Sequence, residues 1–222
     1  MPITHVLTDI EGTTTAIAFV HRTLFPYAAS ALEEFLARRG KDEDVATILA
    51  QVPGDDKLAT LRHWMASDAK VTPLKALQGL IWRQGYAEGA LHGHLWPDVA
   101  QALQDWKARS LHLAIYSSGS EEAQRLLFRH SEAGDLEALF EGFFDTRMGG
   151  KREASSYTRI AEAWGATPEK ILFLSDIVEE LEAARQADLS TCQLVRAGDG
   201  TKASGRHPEA ADFNAVTPLL AA

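Results

Sequence analysis

The sequence predicts an α/β fold in which a doubly wound parallel-sheet core is interrupted by an inserted all-helical domain. Between residues 97 and 222, short apolar segments alternate with helical ones. Continuous apolar strands separated by helices are typical of a parallel sheet that is buried on both faces. Between Arg22 and Leu95, apolar residues recur only at helical spacing. We therefore expect a core made from residues 1–20 and 97–222, with a helical insert at 21–96.

The first piece of the core contributes one strand, and the insert contributes four helices. Residues 5–9 have the pattern of a buried strand, which breaks into a loop at Gly12. The helices of the insert are predicted at 24–39, 43–51, 56–67 and 73–89. The first of them carries apolar residues on one face and is followed by Gly40, a residue that commonly ends helices.

The second piece of the core supplies the rest of the alternation. Strands are predicted at 111–116, 143–144, 171–174 and 191–195. Helices are predicted at 99–109, 121–130, 155–164 and 178–187. Residues 197–208 are rich in glycine, lysine and polar residues, which indicates a loop.

Composition excludes several classes of function. The 222 residues carry a net charge of -9, and such an acidic chain is a poor candidate for nucleic-acid binding, which needs clustered Lys and Arg. No apolar run approaches 18 residues, so we expect no membrane span. The single cysteine, Cys192, forms no internal disulfide and is expected to be a buried, inert thiol. With no signal peptide evident, these features predict a cytoplasmic protein, and the acidic surface favours a monomer.

Polar side chains follow four of the predicted strands, where ligands bind in open α/β sheets. The residues that carry chemistry at these strand ends are Asp9 and Glu11, the run Ser117–Ser118–Gly119–Ser120, Lys151 after two glycines in a flexible loop, and Asp176 with Glu180. Carboxylates, hydroxyls and one lysine together are the groups that hold a metal ion and a phosphate.

The two aspartates predict a magnesium site and a nucleophile. Mg²⁺ prefers oxygen ligands and keeps several waters, so Asp9 and Asp176 suffice as its main protein ligands. A carboxylate beside a cation stays ionised at neutral pH. Asp9 can then attack phosphorus and form an aspartyl phosphate.

The remaining polar residues predict a phosphate site and an acid–base group. The Ser117 hydroxyl and the amides of Ser118 and Gly119, which precede a helix, can bind phosphate oxygens. Lys151 can pair with both Asp9 and the phosphate. Glu11 lies two residues past the nucleophile and faces the same side of an extended segment, so it can protonate the leaving oxygen and then activate water. Glu180 can orient a metal-bound water.

In this order, the four groups resemble the four motifs of the haloacid dehalogenase superfamily, and the helical insert looks like that superfamily's cap domain. One residue narrows the resemblance, because most phosphatases of the superfamily carry Asp, not Glu, at the position of Glu11. The run Asp-Ile-Glu-Gly-Thr-Thr at 9–14 is instead similar to the enolase-phosphatase (acireductone synthase) family of methionine salvage. Further similar segments lie at 77–82, 85–86, 96–99, 115–120, 145–151, 156–157 and 173–176.

The resemblance implies a substrate, a ligand set and a reaction. The substrate would be 2,3-diketo-5-methylthiopentyl-1-phosphate, which is enolised and then dephosphorylated to the acireductone. Mg²⁺ would bind Asp9, Asp176 and the backbone carbonyl of Glu11. The phosphate would bind Ser117, Ser118 and Lys151. The base for enolisation stays open between Glu11, a residue of the cap and a loop residue near 19–21.

Two other functions compete with this interpretation. A phosphatase or phosphomutase of the same superfamily that acts on a sugar phosphate would use the same four motifs. A non-catalytic binding module could keep the fold, but it predicts loss of the nucleophile or of the metal carboxylates. Trp64, Trp82 and Tyr86 in the insert lie at spacings more typical of a helix core than of a ligand site.

Overall fold

The computed structural model describes residues 2–221, which form a six-stranded parallel sheet with helices around it. The strands are β1 (His5–Thr8), β2 (His112–Tyr116), β3 (Gly142–Phe144), β4 (Ile171–Ser175), β5 (Ser190–Leu194) and β6 (Glu209–Ala210). Their order in the sheet is β3-β2-β1-β4-β5-β6, so the chain winds outward in both directions from β1. The predicted doubly wound α/β class is confirmed.

The helices occupy the segments between the strands and the whole of the insert. They are α1 (Ile17–Phe19), α2 (Phe25–Arg39), α3 (Glu43–Ala50), α4 (Lys57–Ala66), α5 (Thr72–Ala87), α6 (Val99–Ala108), α7 (Glu121–Arg129), α8 (Ala154–Trp164), α9 (Val178–Gln186) and α10 (Phe213–Val216). A π-helical segment, Val20–Leu24, joins α1 to α2. Short 3-10 turns lie at Glu137–Leu139, Thr146–Met148, Pro168–Lys170, Ala197–Asp199 and Thr217–Ala221.

The chain divides into two compact units. One combines the chain up to Ile17 with the chain from Gly93 onward, and the other is Ala18–His92. The sequence-based division into a core and a cap places these boundaries after residues 20 and 96. Among the described residues, no helix is long and apolar enough to cross a membrane.

The sheet unit is held together by apolar side chains between the strands and their flanking helices. Leu7, Ala114 and Phe173 from the three central strands are fully buried and pack with apolar residues of α8 and α9. These strands read as continuous apolar runs because both of their faces are covered. Trp106 of α6 stacks on Phe213 of α10, with ring centroids 5.1 Å apart.

The helical unit has its own core. Buried leucines and other apolar residues of α2 to α5 form it: Ala28, Leu32, Phe35, Val45, Leu61, Leu74, Leu77 and Ile81. Trp64 and Trp82 pack against this core, and Trp82 Nε1 donates to the Leu24 carbonyl oxygen at 2.9 Å. Their spacing therefore reflects core packing, as predicted. Asp56 begins α4 by accepting from the Ala59 amide at 2.9 Å.

Two elements near the C-terminus were not predicted. β6 has two residues and α10 has four, which is too short for a period of 2 or 3.6 to be recognised. β6 pairs with β5 through Gln193 and Leu194 and extends the sheet at its edge.

Candidate active site

The polar residues predicted at the strand ends meet at one edge of the sheet. Asp9 follows β1 and its amide donates to the Leu174 carbonyl of β4, while the Ser117 amide donates to the Phe144 carbonyl at the end of β3. β1 lies between β2 and β4 in the sheet, so residues that follow these strands emerge side by side.

These residues line a cavity of about 450 Å³. Its walls include Asp9, Glu11, Ile17, Ser117, Ser118, Thr146, Gly150, Lys151, Arg152, Glu153, Asp176, Ile177 and Glu180. All of the predicted catalytic and metal-binding residues are present in this wall. Of the predicted phosphate-binding residues, Ser117, Ser118 and Lys151 line the cavity. Gly119 follows Ser118 in the sequence and is not part of the cavity lining.

Lys151 joins two carboxylates of the cavity. Its Nζ lies 2.6 Å from Asp9 Oδ1 and 2.6 Å from Glu180 Oε2. The lysine side chain is only 9% exposed, and the two carboxylates are 7% and 12% exposed. Although burial lowers the pKa of Lys151, the charges of Asp9 and Glu180 outweigh it and raise that pKa above its ordinary value. Lys151 therefore stays a cation facing Asp9.

Glu180 has a second partner, which connects it to β4. The Ser175 hydroxyl donates to Glu180 Oε2 at 2.9 Å, and the Ser175 oxygen accepts from the Ile177 amide at 3.1 Å. Burial and the charge of Asp9 raise the pKa of Glu180, against the opposing effect of Lys151. Lys151 and Ser175 thus both bind Glu180 Oε2.

Asp176 is buried beside the other carboxylates, and the nearby charge of Lys151 only partly offsets their effect on it. Its Oδ1 atom has no hydrogen-bond partner among the described residues. Burial, then the nearby charges of Asp9 and Glu180, raise the pKa of Asp176 to about 7. Gly12 packs against the same carboxylate: a Cβ atom there would lie 2.4 Å from Asp176 Oδ2.

The residues present fit a divalent cation. Asp9 and Asp176 are buried, and the side chain of Glu180 is 12% exposed. These three acids face the single ammonium of Lys151, which leaves an excess of two negative charges when all are ionised. Buried charges are normally paired or coordinate metals. Within the described part of the chain, no three His, Cys, Asp or Glu side chains are placed to share one metal ion. The predicted ligand set differs, because it needs only two carboxylates and one backbone carbonyl.

The serine run after β2 is folded back on itself. The Gly119 amide donates to Ser117 Oγ at 3.3 Å, and the Ser120 hydroxyl accepts from the Ala123 amide to begin α7. Ser120 therefore caps α7, and Ser117 Oγ accepts from the Gly119 amide, one of the donors predicted to bind a phosphate.

Three buried polar residues that hold the site together were not predicted. Gln124 donates from Nε2 to the carbonyls of Gly119 and Phe144, at 2.8 and 2.9 Å. Gln193 donates from Nε2 to the Asp176 carbonyl at 3.2 Å. Asp145 accepts from the amides of Glu121 and Arg147, at 3.3 and 2.9 Å.

Arg196 supports the loop that follows Asp9. Its guanidinium is 4% exposed, donates from Nε and Nη2 to the Thr13 carbonyl at 3.0 and 2.8 Å, and pairs with Asp98 at 2.8 Å. It also lies over the rings of Trp96 and Phe213. The Trp96–Asp98 segment noted in the sequence thus has a structural partner in Arg196.

Comparison with known families decides the class of this site. Residues 3–188 match the model of haloacid dehalogenase-like hydrolases. The chain belongs to the haloacid dehalogenase-like hydrolase family. The parallel α/β sheet with a helical insert is the fold class predicted from the sequence.

Curated relatives lie within a narrower group of this family. The chain is 60% identical over 220 residues to a protein of Granulibacter bethesdensis named Enolase-phosphatase E1, covering 97% of this chain and 95% of the relative. It is 54% identical over 215 residues to the Enolase-phosphatase E1 of Acidiphilium cryptum, covering 95% of this chain and 93% of the relative. The chain is accordingly an enzyme of the phosphatase class.

A solved structure supports the same fold over the whole chain. The UTR4 protein of Saccharomyces cerevisiae is 34% identical, superposes with a TM-score of 0.84, and the match covers 95% of this chain and 98% of that protein.

Proposed function

We propose that this protein is a Mg²⁺-dependent enolase-phosphatase of methionine salvage that forms a phospho-aspartyl intermediate on Asp9. It would convert 2,3-diketo-5-methylthiopentyl-1-phosphate to the acireductone and phosphate. The observation that carries the proposal is the buried group of Asp9, Lys151 and Asp176 at adjoining strand ends. The names of relatives that are 60% and 54% identical support the substrate.

Asp9 is the nucleophile in this proposal. Its Oδ1 already pairs with Lys151, and its side chain is 7% exposed, so few competing waters surround it. The carboxylate attacks phosphorus and forms the aspartyl phosphate. Lys151 also offers a positive charge to the phosphoryl oxygens as that attack proceeds.

Glu11 serves as the acid and then the base. It lines the same cavity as Asp9 and lies two residues beyond it. It gives a proton to the leaving oxygen and later takes one from the water that cleaves the aspartyl phosphate. Ser117 and Ser118 line the cavity and contribute hydroxyl and amide donors to the phosphate oxygens.

Asp9, Asp176 and the Glu11 carbonyl would hold Mg²⁺. When bound, the ion would offset the repulsion between the anionic nucleophile and the anionic phosphate, and would polarise the substrate's oxygens for enolisation. Glu11 is one candidate for the base that removes the carbon-bound proton, and a residue of the helical insert is another. A residue near 19–21 is a third candidate, although this segment was expected to be a loop and is helical.

A substrate panel tests this proposal. The diketone phosphate would be compared with hexose and pentose phosphates, with enol formation followed by absorbance and phosphate release measured separately. We expect kcat/KM to be highest for the diketone phosphate, with both activities dependent on added Mg²⁺. Asp9→Asn should abolish phosphate release, while the exposed-residue variant Asp105→Asn should match the wild-type protein.

A phosphatase or phosphomutase that acts on another small phosphate ester is the alternative. It would use the same nucleophile, lysine and metal carboxylates, so the site alone fits it as well. A preference for sugar phosphates, with no enol detected from the diketone phosphate, would favour this alternative. Retention of full phosphatase activity by Asp9→Asn would contradict both proposals.

We also propose that the protein acts as a cytoplasmic monomer on a small phosphorylated molecule and binds neither nucleic acid nor membranes. The net charge of -9 supports weak affinity for polyanions. Light scattering at assay concentration should give the mass of one chain, near 24.3 kDa.

A further inference from the structure

Each carbonyl oxygen of the segment Met148–Lys151 accepts a hydrogen bond from a side chain, and the segment ends at the lysine that lines the cavity. The four hydrogen bonds run from Arg159 Nε to the Met148 oxygen at 2.6 Å, from the Tyr116 hydroxyl to Gly149 at 2.9 Å, from Ser156 Oγ to Gly150 at 2.9 Å and from the Tyr157 hydroxyl to Lys151 at 2.7 Å. We call these four side chains the carbonyl clamp. The sequence predicted a flexible loop here, and the structure instead shows one whose acceptors are bonded in succession.

The donors of the carbonyl clamp come from rigid elements. Tyr116 ends β2, and the other three donors lie in the first two turns of α8. Tyr116, Ser156 and Tyr157 are all fully buried. Burial raises the pKa of Tyr157, so its hydroxyl keeps the proton that it donates. Hydrogen bonds from packed elements restrict a loop far more than bonds within the loop itself.

The glycine at the centre of the loop allows the donors to come close. Gly149 has φ +120, and a Cβ atom there would lie 2.3 Å from both Ser156 Oγ and Arg159 Nη2. Glycine is therefore needed at 149 for its backbone conformation and for the close approach of α8. A glycine at 149 thus leaves the space that Ser156 and Arg159 of α8 occupy beside the loop.

The carbonyl clamp fixes the backbone from which the Lys151 side chain extends. A lysine side chain has four rotatable bonds, and ordering it costs conformational entropy. Because the backbone of Lys151 is fixed, only its side chain has to be ordered for the ammonium to contact Asp9 and Glu180, both at 2.6 Å. The ring of Tyr116 also lies 5.9 Å from Lys151 Nζ, so this tyrosine contacts both the loop backbone at Gly149 and the lysine ammonium.

We propose that Ser156 and Tyr157 are positioning residues that place the Lys151 ammonium for phosphoryl transfer, acting through the Gly150 and Lys151 carbonyls. The inference rests on the role proposed for Lys151 in that reaction. Displacing a preorganised charge by about 1 Å is enough to cost a large factor in rate. The competing interpretation is that the hydroxyls only satisfy buried carbonyls and stabilise the fold.

A double-mutant cycle separates the two interpretations. Tyr157→Phe, Lys151→Ala and the double variant would be assayed with p-nitrophenyl phosphate and with the diketone phosphate. The aryl ester reports phosphoryl transfer without enolisation, so a wrong natural substrate leaves the cycle measurable. We expect Tyr157→Phe to lower kcat about tenfold in the wild-type background and less than about twofold in the Lys151→Ala background, because its effect passes through the lysine.

A second variant and a matched control complete the design. Ser156→Ala removes the neighbouring hydroxyl and should also lower kcat by several-fold, while Ser156→Thr, which keeps a hydroxyl, should recover part of it. Ser131→Ala is the control: Ser131 is also buried and its hydroxyl also donates to a loop carbonyl, that of Gly134, away from the cavity. Ser131→Ala should lower the melting temperature and leave kcat unchanged.

The outcomes are distinct. Equal losses from Tyr157→Phe in both backgrounds, or unchanged kcat in both Tyr157→Phe and Ser156→Ala, would overturn the positioning role and leave the proposed reaction intact. Wild-type kcat in Lys151→Ala would overturn the proposed role of the lysine itself, and the inference with it. If Tyr157→Phe fails to fold, the same cycle run with Ser156→Ala distinguishes a positioning role from a structural one.

Discussion

Gly12 lies against Asp176 so closely that a Cβ atom on this glycine would come within 2.4 Å of Asp176 Oδ2. Gly12 also has φ +74, a conformation that side chains with a Cβ rarely adopt. The turn after Asp9 and the carboxylate after β4 are therefore fitted to each other. A small change on one of them should disturb the other.

Gly12→Ala tests this contact. The added methyl group should displace the Asp176 carboxylate, lower Mg²⁺ affinity and kcat, and reduce the free energy of unfolding by about 1–3 kcal/mol. Gly200→Ala is a matched control, because Gly200 has φ +73 and open space where the Cβ would lie. Calorimetric Mg²⁺ titration and urea unfolding of both variants check the prediction; equal metal affinity in the two would contradict it.

Removing the Lys151 charge should slow the reaction strongly. Lys151→Ala leaves Asp9 and Glu180 facing each other without their shared cation, and takes a positive charge from the transferring phosphoryl group. By analogy with other preorganised contacts, we expect kcat to fall on the order of 10²–10³-fold. Arg152→Ala, which removes the adjacent exposed cation, should lose much less. Steady-state kinetics on both variants measure these losses, and a near-normal kcat in Lys151→Ala would contradict the proposed role of the lysine.

The buried ion pair of Arg196 and Asp98 should matter for stability. Arg196→Met keeps much of the packing between the Trp96 and Phe213 rings but leaves Asp98 without its cation and the Thr13 carbonyl without its donor. Breaking such a pair from one side typically costs about 3–5 kcal/mol. Exposed Arg38, which pairs with Glu34 on the surface of α2, offers a control: Arg38→Met should cost less than about 1 kcal/mol. Urea denaturation measures both.

The stacked histidines at the opposite end of the sheet should make stability depend on pH. His5 stacks on His112 with centroids 4.5 Å apart. Burial, then the charges of His112 and Lys170, lower the pKa of His5, against the opposing effect of Glu141. Its folded pKa lies below the unfolded value of 6.5, so the unfolded chain binds the proton more readily. This contribution to stability is present above pH 6.5 and is lost as the pH falls from that value through the lower folded pKa.

Replacing His5 with an aromatic ring that cannot titrate should remove part of the pH dependence of stability. In His5→Phe, the free energy of unfolding should fall less between pH 7.5 and pH 5.5 than it does in the wild-type protein. His63→Phe alters an exposed histidine of α4 and should keep the wild-type slope. An unchanged slope in His5→Phe would show that the stacked pair does not set the dependence.

The central strands and the site carboxylates could be predicted from the sequence because two signals coincide. β1, β2 and β4 are continuous apolar runs, and Asp9, Ser117 and Asp176 follow them directly. Parallel strands end at the same edge of a sheet, so residues that follow different strands converge there without any further information.

The supporting polar residues could not be predicted in this way. Gln124 and Gln193 are buried, at 2% and 1% exposure, yet glutamine is usually a surface residue and has no periodic signature. Their roles depend on which loop carbonyls approach them, which is a property of the folded chain. The same holds for Tyr157: the sequence marked the Ser156–Tyr157 pair without assigning it a partner, and the structure identifies the Lys151 loop.

In the proposed mechanism, the phosphoryl group passes through Asp9. Rapid acid quench during turnover of a radiolabelled phosphate ester, followed by peptide mapping, measures this most directly. We expect label on the peptide that contains Asp9, more of it in Glu11→Gln, where water activation is impaired, and none in Asp9→Asn. Turnover with no protein-bound label in Glu11→Gln, or label on a peptide without Asp9, would contradict it.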